Sequence, residues 1–583
     1  MAAVGSYFLL LTVISWQRWV SPIADSGREL DLPRRLLEGE MLYRDVHYLY
    51  GPLAPYLKAL LYSLFGARLA VLQGSGLLAS LVIVVTIYAI ARQLLGKWEA
   101  GLAVAAVILL CVFKPGGNLI SPYSYAALYA LVFSLGAVQA TIAHTRSGRT
   151  GDLLLAGLLT GLAAVTKLEL ALAAALAAVV GLISVWERGA RVEGRRIRSL
   201  SGKLLLLALP VVLIALPVYG FFFRAVGWRT MIEDCHIFYT HLPDPMIFYN
   251  AHRSGLDRPF SSLLQLAGGG MVLGLLCLLF LILANPDILR RRWLATLTSL
   301  TGMIGGIVAI RMIVGAQWDG SPLRFMPVLL GLVIVNAWRS SPTRLVLAVY
   351  SLAVLARVAL RVPSGGAFGS FFLPGSLVIL IWWLLHWLPE WAKRAGMIAG
   401  QDRLRRVIVI TVMAVLTATT VIYAVRYRRT YRDRVETPYG TFYAPVATGQ
   451  VIRQAIQFIA ANTKPNDPVA VLPEGSDLTF LAGRAHPLRH QILVPGLMSP
   501  ADELEAIRTL EKHRVEYILI VNRPMREFGL NSFGEDYYLQ LGGWISDHYR
   551  PLTVYGADGD PAARIGDPRF FIRILVRQNP SAP

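Results

Sequence analysis

Residues 21–67, SPIADSGRELDLPRRLLEGEMLYRDVHYLYGPLAPYLKALLYSLFGA, gather Asp25, Arg28, Glu29, Asp31, Glu38, Glu40, Arg44 and Asp45. The whole chain of 583 residues holds only 36 acids, so this density is a local feature. Asp25 lies just beyond an apolar run. A carboxylate at the rim of an apolar cavity is suited to general-base work, because partial loss of water raises its basicity and lets it take a proton from a hydroxyl. If DSGRELDLPRRLL is helical, Asp25 and Glu29 stand four apart and share a face. Glu29 and Glu38 are then the further candidates for that base or for orienting an acceptor. Arg28, Arg44 and Asp45 are candidate substrate contacts. A second reading makes Asp25 a solvated residue that starts a surface helix.

Other residues extend this set. YLYGPLAPYL alternates aromatics with Gly51, Pro52 and Pro55, which favours a fixed, non-helical approach to the next apolar stretch. Tyr48 and Tyr50 can flank a sugar or a lipid tail there, or anchor the chain at a membrane interface. GLAAVTKLEL carries Lys167 and Glu169, and SPLRFMP carries Arg324, each at the end of an apolar run. Ionisable groups near membrane depth are costly unless they meet a partner or a polar cavity, and a lipid phosphate is such a partner. Snorkelling to the headgroups is the alternative use of such cations. Residues 224–262 add His236, His241, His252, Glu233, Asp234 and Asp244. His236 and His241 are five apart, unlike a helical metal pair, and no HExxH occurs, so no metal ligand set is expected. The segment reads as a cover whose polar groups, His241 among them, can bind sugar hydroxyls.

These residues must be positioned by elements that lipid tolerates. The chain is 55% hydrophobic and 16% charged, with a mean hydropathy of +0.53, too apolar for a soluble protein of this length. Apolar runs fall at about 4–20, 68–91, 99–113, 123–143, 152–165, 168–186, 204–223, 263–284, 293–314, 323–338, 344–360, 371–388 and 406–424. Thirteen transmembrane helices are expected. The formal net charge of +20 sits in short connections such as HTRSGRTGD, ERGARVEGRRIRSLSGK and NPDILRRRW, not on one amphipathic stripe. That pattern follows the positive-inside rule and gives no support to nucleic-acid binding. It puts the N-terminus in the cytoplasm and everything after the odd thirteenth span outside. The first 20 residues lack a basic leader region, so the first run is expected to be retained. The short outer connections then lie near Lys114, Lys167, Gln317 and Gly365. Three cysteines, Cys111, Cys235 and Cys277, support no disulfide framework.

Residues 426–583 have globular composition and read as a soluble α/β domain. Its expected elements are helices near 447–461 and 501–513 and strands near 469–472, 516–521 and 570–576. VLPEGSDLTFLAGR lacks the Lys and the spacing of a phosphate-binding loop, and the domain is expected to serve packing or acceptor docking.

The carboxylate after the first run, followed by LLEGEMLYRDVHYLYGPLAPYLKALLYSLFG, resembles the first outer loop of bacterial GT-C membrane glycosyltransferases. The likeness is to the family-39 group of protein mannosyltransferases and lipid A aminoarabinose transferases, and it extends to about residue 425. GLAAVTKLEL is similar to the group's Gly-rich segment ending in Thr-Lys, and SPLRFMP to its Arg-Tyr-x-x-Pro pattern, with Phe325 in place of the tyrosine. The resemblance implies an enzyme of the bacterial plasma membrane with a periplasmic C-terminal domain. Such an enzyme moves a monosaccharide from a polyprenyl-phosphate donor to a hydroxyl on a glycan, lipid or protein. Asp25 would be the base and Lys167 and Arg324 the phosphate contacts. No cofactor is implied, since no DxD signature is present, although some relatives use a divalent ion. An oligosaccharide ligase or polymerase fed by a lipid diphosphate, and a lipid transporter without chemistry, are the rival readings. The latter predicts inverted repeats, and the sequence offers none.

Overall fold

A computed structural model describes residues 2–189, 196–238, 240–288, 293–315, 318–362 and 369–578. The basic cluster Arg290–Arg292 and the connections at Gln317 and Gly365 lie outside the described residues. Each of the thirteen expected apolar runs contains a helix. Seven helical segments are long and apolar enough to cross a membrane by themselves, among them Leu69–Ala91, Tyr125–Ser147 and Gln401–Thr430. Others are shorter, such as Ala2–Ser15, Thr150–Ala164 and Pro342–Leu355. Two more continue through a π-helical turn: Lys97–Val107 into Ile108–Val112, and Pro374–Trp382 into Trp383–Trp387. The protein is thus a multi-pass helical membrane protein, because only helices or closed barrels satisfy backbone polar groups within lipid.

Small residues set the closest helix contacts. Gly157 and Gly161 sit four apart on Thr150–Ala164 and face the helix Arg196–Ala225. A Cβ at Gly157 would come within 2.4 Å of the Leu207 carbonyl oxygen, and one at Gly161 within 3.0 Å of Ile214. Small residues at this spacing let two backbones approach where lipid supplies no hydrophobic drive.

The last apolar helix runs five residues past 425, to Thr430, and leads directly into a hairpin, β1 Tyr431–Thr437 and β2 Gly440–Pro445. Beyond it lies a four-stranded mixed sheet in the order β3-β4-β6-β5, with β3 Ala470–Leu472, β4 Tyr517–Val521, β5 Tyr549–Gly556 and β6 Phe571–Arg577. Helices Val446–Asn462 and Pro500–Lys512 and strands β3, β4 and β6 match the expected elements. The hairpin, the helix Leu539–His548 and β5 were not anticipated. β5 is an edge strand with Pro551 at a break in register, and proline weakens the sequence signature of a strand.

Residues 21–67 fold into the helices Ser26–Leu37 and Leu53–Phe65, clamped between the bundle and the C-terminal domain. Gly27 makes the seat possible: a Cβ there would lie 2.4 Å from Ser476 Oγ and 2.5 Å from the Asp477 backbone nitrogen. Around it the Ile23 N–H donates to Asp477 Oδ2 at 2.9 Å, Arg35 donates to the Leu488 carbonyl at 2.7 Å, and Gln491 donates to Asp31 at 2.5 Å. The two loop helices are joined by a buried ion pair, Lys58 Nζ to Glu29 Oε2 at 2.7 Å, with side chains 1% and 3% exposed. Breaking such a pair strands a charge in a dry site at a cost of about 3–5 kcal/mol. We therefore expect Lys58→Met to lower the thermal unfolding midpoint of the detergent-solubilised protein sharply. Combining it with Glu29→Leu should recover most of the loss. Equal midpoints for wild type and Lys58→Met would contradict this role.

Candidate functional site

Asp25 caps the N-terminal end of Ser26–Leu37 with its backbone in the left-handed region, φ 62°. That conformation is uncommon outside glycine, and aspartate is among the residues that tolerate it. It is held by the C-terminal domain: the Asp25 N–H donates to Glu474 Oε1 at 2.5 Å, while Arg523 Nε donates to Glu474 Oε2 at 3.0 Å. The Asp25 carboxylate itself makes one long ion pair, 3.8 Å to Arg28. It is 41% exposed and lines a cavity of about 310 Å³. Tyr123, Tyr125, Ser121 and Gly117 line the same cavity. Burial, then the facing Glu474 carboxylate, push the Asp25 pKa up to about 7 against the opposing pull of Arg28. A carboxylate whose pKa is raised in this way is a better proton acceptor than an ordinary aspartate.

Glu29 is committed elsewhere. It takes Lys58, Arg28 and, at 3.2 Å, the Tyr125 N–H, which leaves it in a structural role next to Asp25. Arg28 lies 5.7 Å from the ring centroids of both Tyr48 and Tyr50. Tyr48 is buried, and its hydroxyl has no partner among the described residues.

Gly51 brings the two sequence motifs together. Its N–H donates to the Thr166 carbonyl at 3.1 Å, and a Cβ there would lie 2.3 Å from the Val165 carbonyl oxygen. The close fit sets Tyr50 against Lys167, whose Nζ is 4.3 Å from the ring centroid and 2.9 Å from Tyr123 Oη. Glu169 stands between two cations, 3.7 Å from Lys167 and 3.6 Å from Arg357.

Further cations continue from there. Tyr249, on the helix Asp244–Ser254, lies within electrostatic reach of Arg253, Arg357, Asp25 and Tyr50. Arg361 lies within reach of Arg324, Arg258 and Arg253. Arg324 is buried, bonded through Nε to Asp319 at 2.8 Å, and its Nη1 has no partner among the described residues. Beside it Phe325 borders an apolar cavity of about 560 Å³ lined by Gly270, Leu329, Trp382, Trp387 and Trp391. The arrangement offers a base, a chain of cations and an apolar groove.

The other expected residues stand apart. Glu38 is at the far end of its helix, about 20 Å along the axis from Asp25 by helix rise, and pairs with Arg34 at 3.2 Å. Arg44 and Asp45 pair with each other at the surface at 2.8 Å, and His241 is exposed on its loop. Residues not anticipated are Glu474, Arg523, Tyr123, Tyr249, Arg253, Arg357 and Arg361. The signal for the last two was present: RVALR puts two arginines at i, i+4 at the end of an apolar helix. Glu474 carried none, since only the tertiary fold brings it to Asp25.

The raised Asp25 pKa has a stability consequence. A folded-state value above the ordinary 3.8 means the neutral carboxyl is favoured on folding, and that advantage is lost as pH rises towards 7. Asp25→Asn is therefore expected to raise the unfolding midpoint at about pH 8 and to leave it nearly unchanged near pH 4. A shift of equal size at both pH values would refute the raised pKa.

Residues 50–218 match the family model described as dolichyl-phosphate-mannose-protein mannosyltransferase. No curated protein matches the chain. Among solved structures, the oligosaccharyltransferase of Archaeoglobus fulgidus in complex with zinc and sulfate is similar at 12% identity and a TM-score of 0.48, covering 96% of this chain and 72% of that one. The same organism's AglB, in complex with an inhibitory peptide and a dolichol-phosphate, gives 12% identity and a TM-score of 0.46, covering 100% and 75%. ArnT from Cupriavidus metallidurans, bound to undecaprenyl phosphate, gives 14% and 0.45, covering 100% and 99%. The family match spans both the Gly51 loop and the Thr166–Lys167 turn on which that loop is packed.

Proposed function

We propose that the protein transfers a monosaccharide from a polyprenyl-phosphate carrier to a hydroxyl acceptor on the extracytoplasmic side of the membrane. The carrier's tail lies in the apolar groove beside Phe325, and its phosphate meets the cations Arg324, Arg361, Arg357 and Lys167. The sugar then reaches the cavity at Asp25. The Asp25 carboxylate takes the acceptor's hydroxyl proton, and the freed oxygen attacks the anomeric carbon. The bond from that carbon to the phosphate oxygen breaks, and its electron pair leaves with the polyprenyl phosphate, whose charge the arginines and Lys167 stabilise. One displacement inverts the anomeric configuration.

The observation that carries this reading is a carboxylate with a pKa near 7 facing a cavity, within reach through Tyr249 of a run of buried and half-buried cations. The family description, which names a lipid-phosphate sugar donor, supports the donor class. In this reading the N-terminus is cytoplasmic and the C-terminal domain stands outside, on the side that holds Asp25.

A radiolabelled polyprenyl-phosphate hexose or pentose, offered to the protein in liposomes, separates the possibilities. Wild type is expected to form a labelled acceptor product, and Asp25→Asn to lose about 10²- to 10⁴-fold in rate with donor binding retained, the usual worth of a general base. Full transfer by a folded Asp25→Asn variant refutes the base. Translocation of the lipid with no product would favour a transporter instead.

A further inference from the structure

His47, Asp234 and His490 meet although they are remote in sequence: His47 precedes the Tyr48–Gly51 loop, Asp234 belongs to residues 224–262, and His490 to the C-terminal domain. A donor atom from each lies within 4.8 Å of the other two. Both imidazoles are buried, 6% and 4% exposed, with ring centroids 4.4 Å apart. His490 Nε2 is buried with no partner among the described residues. His47 Nε2 lies 3.2 Å from the Asp234 backbone carbonyl. A carbonyl only accepts, so that nitrogen carries the proton and the lone pair stays on Nδ1.

We propose that these three side chains form a divalent-metal site of the zinc class that fastens the C-terminal domain to the two large loops. Two neutral imidazoles and one carboxylate are a common zinc donor set, with a fourth position left for water. Magnesium and calcium prefer all-oxygen shells and do not fit it. The surroundings are those that orient metal ligands: a carbonyl fixes the His47 tautomer, and Arg489 donates to Asp234 Oδ2 at 2.5 Å, holding the carboxylate. Arg489 is a cation facing the cluster. Its charge is offset by Asp234 and by Asp502 at 3.8 Å, and its remaining side-chain bonds go to the Tyr43 and Arg44 carbonyls and to Cys235 Sγ. Donors around a tetrahedral zinc stand ~3.4 Å apart, so binding draws the rings and carboxylate inward, and the unpartnered His490 nitrogen gives up no bond to do so. The spacing of His236 and His241 gave no sign of this, because the ligands come from three separate segments.

The site does not depend on the transfer chemistry, so its test reads metal. The full chain in detergent is stripped with a chelator and titrated with zinc or cobalt. About one zinc per chain is expected after dialysis, with a higher unfolding midpoint and cobalt ligand-field bands. His47→Ala and His490→Ala should each weaken zinc affinity at least tenfold, whereas His513→Ala, at an exposed position of the same domain, should leave it unchanged. If the first two variants do not fold, X-ray absorption at the zinc edge of the wild type must count two imidazoles. No retained zinc in the wild type, undiminished affinity in a folded His47→Ala/His490→Ala variant, or a zinc shell without imidazole overturns the site.

Discussion

The contact between Glu474 and the backbone of Asp25 governs the rest of the structure. A carboxylate from the C-terminal domain reaches the residue that starts a loop helix, and the absence of a side chain at Gly27 lets the two backbones come close enough for it. Without that seat Asp25 would face water and behave as an ordinary aspartate. With it the residue lies in a small cavity opposite a second carboxylate, in a backbone conformation that the surrounding contacts impose. The C-terminal domain therefore holds the backbone of the residue whose carboxylate lines the cavity, while the cavity's own lining comes from the N-terminal part of the chain.

Relative magnitudes decide which carboxylate is available. Glu29 has Lys58 at 2.7 Å and Arg28 at 3.2 Å, close enough for opposite charges to offset its burial. Asp25 has one long ion pair, to Arg28 at 3.8 Å and shared with Glu29, and the loss of water together with the Glu474 charge outweighs the attraction of Arg28 and the more distant Arg523. Two acids four residues apart on one helix thus diverge, one fixed as an anchor and one left basic. The divergence is costly to stability at neutral pH, as expected where a site keeps a poorly compensated charge for use.

Much of this was legible in the sequence, and the limits have physical causes. Hydropathy placed a helix in each of the thirteen long apolar runs, since lipid imposes one solution on such a run, but it missed the shorter apolar helix Leu53–Phe65, and the concentration of charge in residues 21–67 pointed to Asp25. The Tyr-Gly-Pro and Thr-Lys motifs were noticed separately, and the structure shows one packed on the other through Gly51. Glu474, Arg523 and His490 were not legible as partners, because contacts across more than 400 residues leave no local pattern. Glu38 stands at the opposite end of the helix from Asp25, and Arg44 and Asp45 pair with each other, placements that nearness in sequence does not reveal.

On the proposed function, a lipid phosphate and Asp25 serve one site. A cryo-electron microscopy map of the protein with bound polyprenyl phosphate tests it most directly. The phosphate is expected among Lys167, Arg357, Arg361 and Arg324, with the tail in the groove beside Phe325 and the cavity at Asp25 open to the phosphate. A phosphate seated at the opposite end of the bundle, away from these cations and from Asp25, would contradict it.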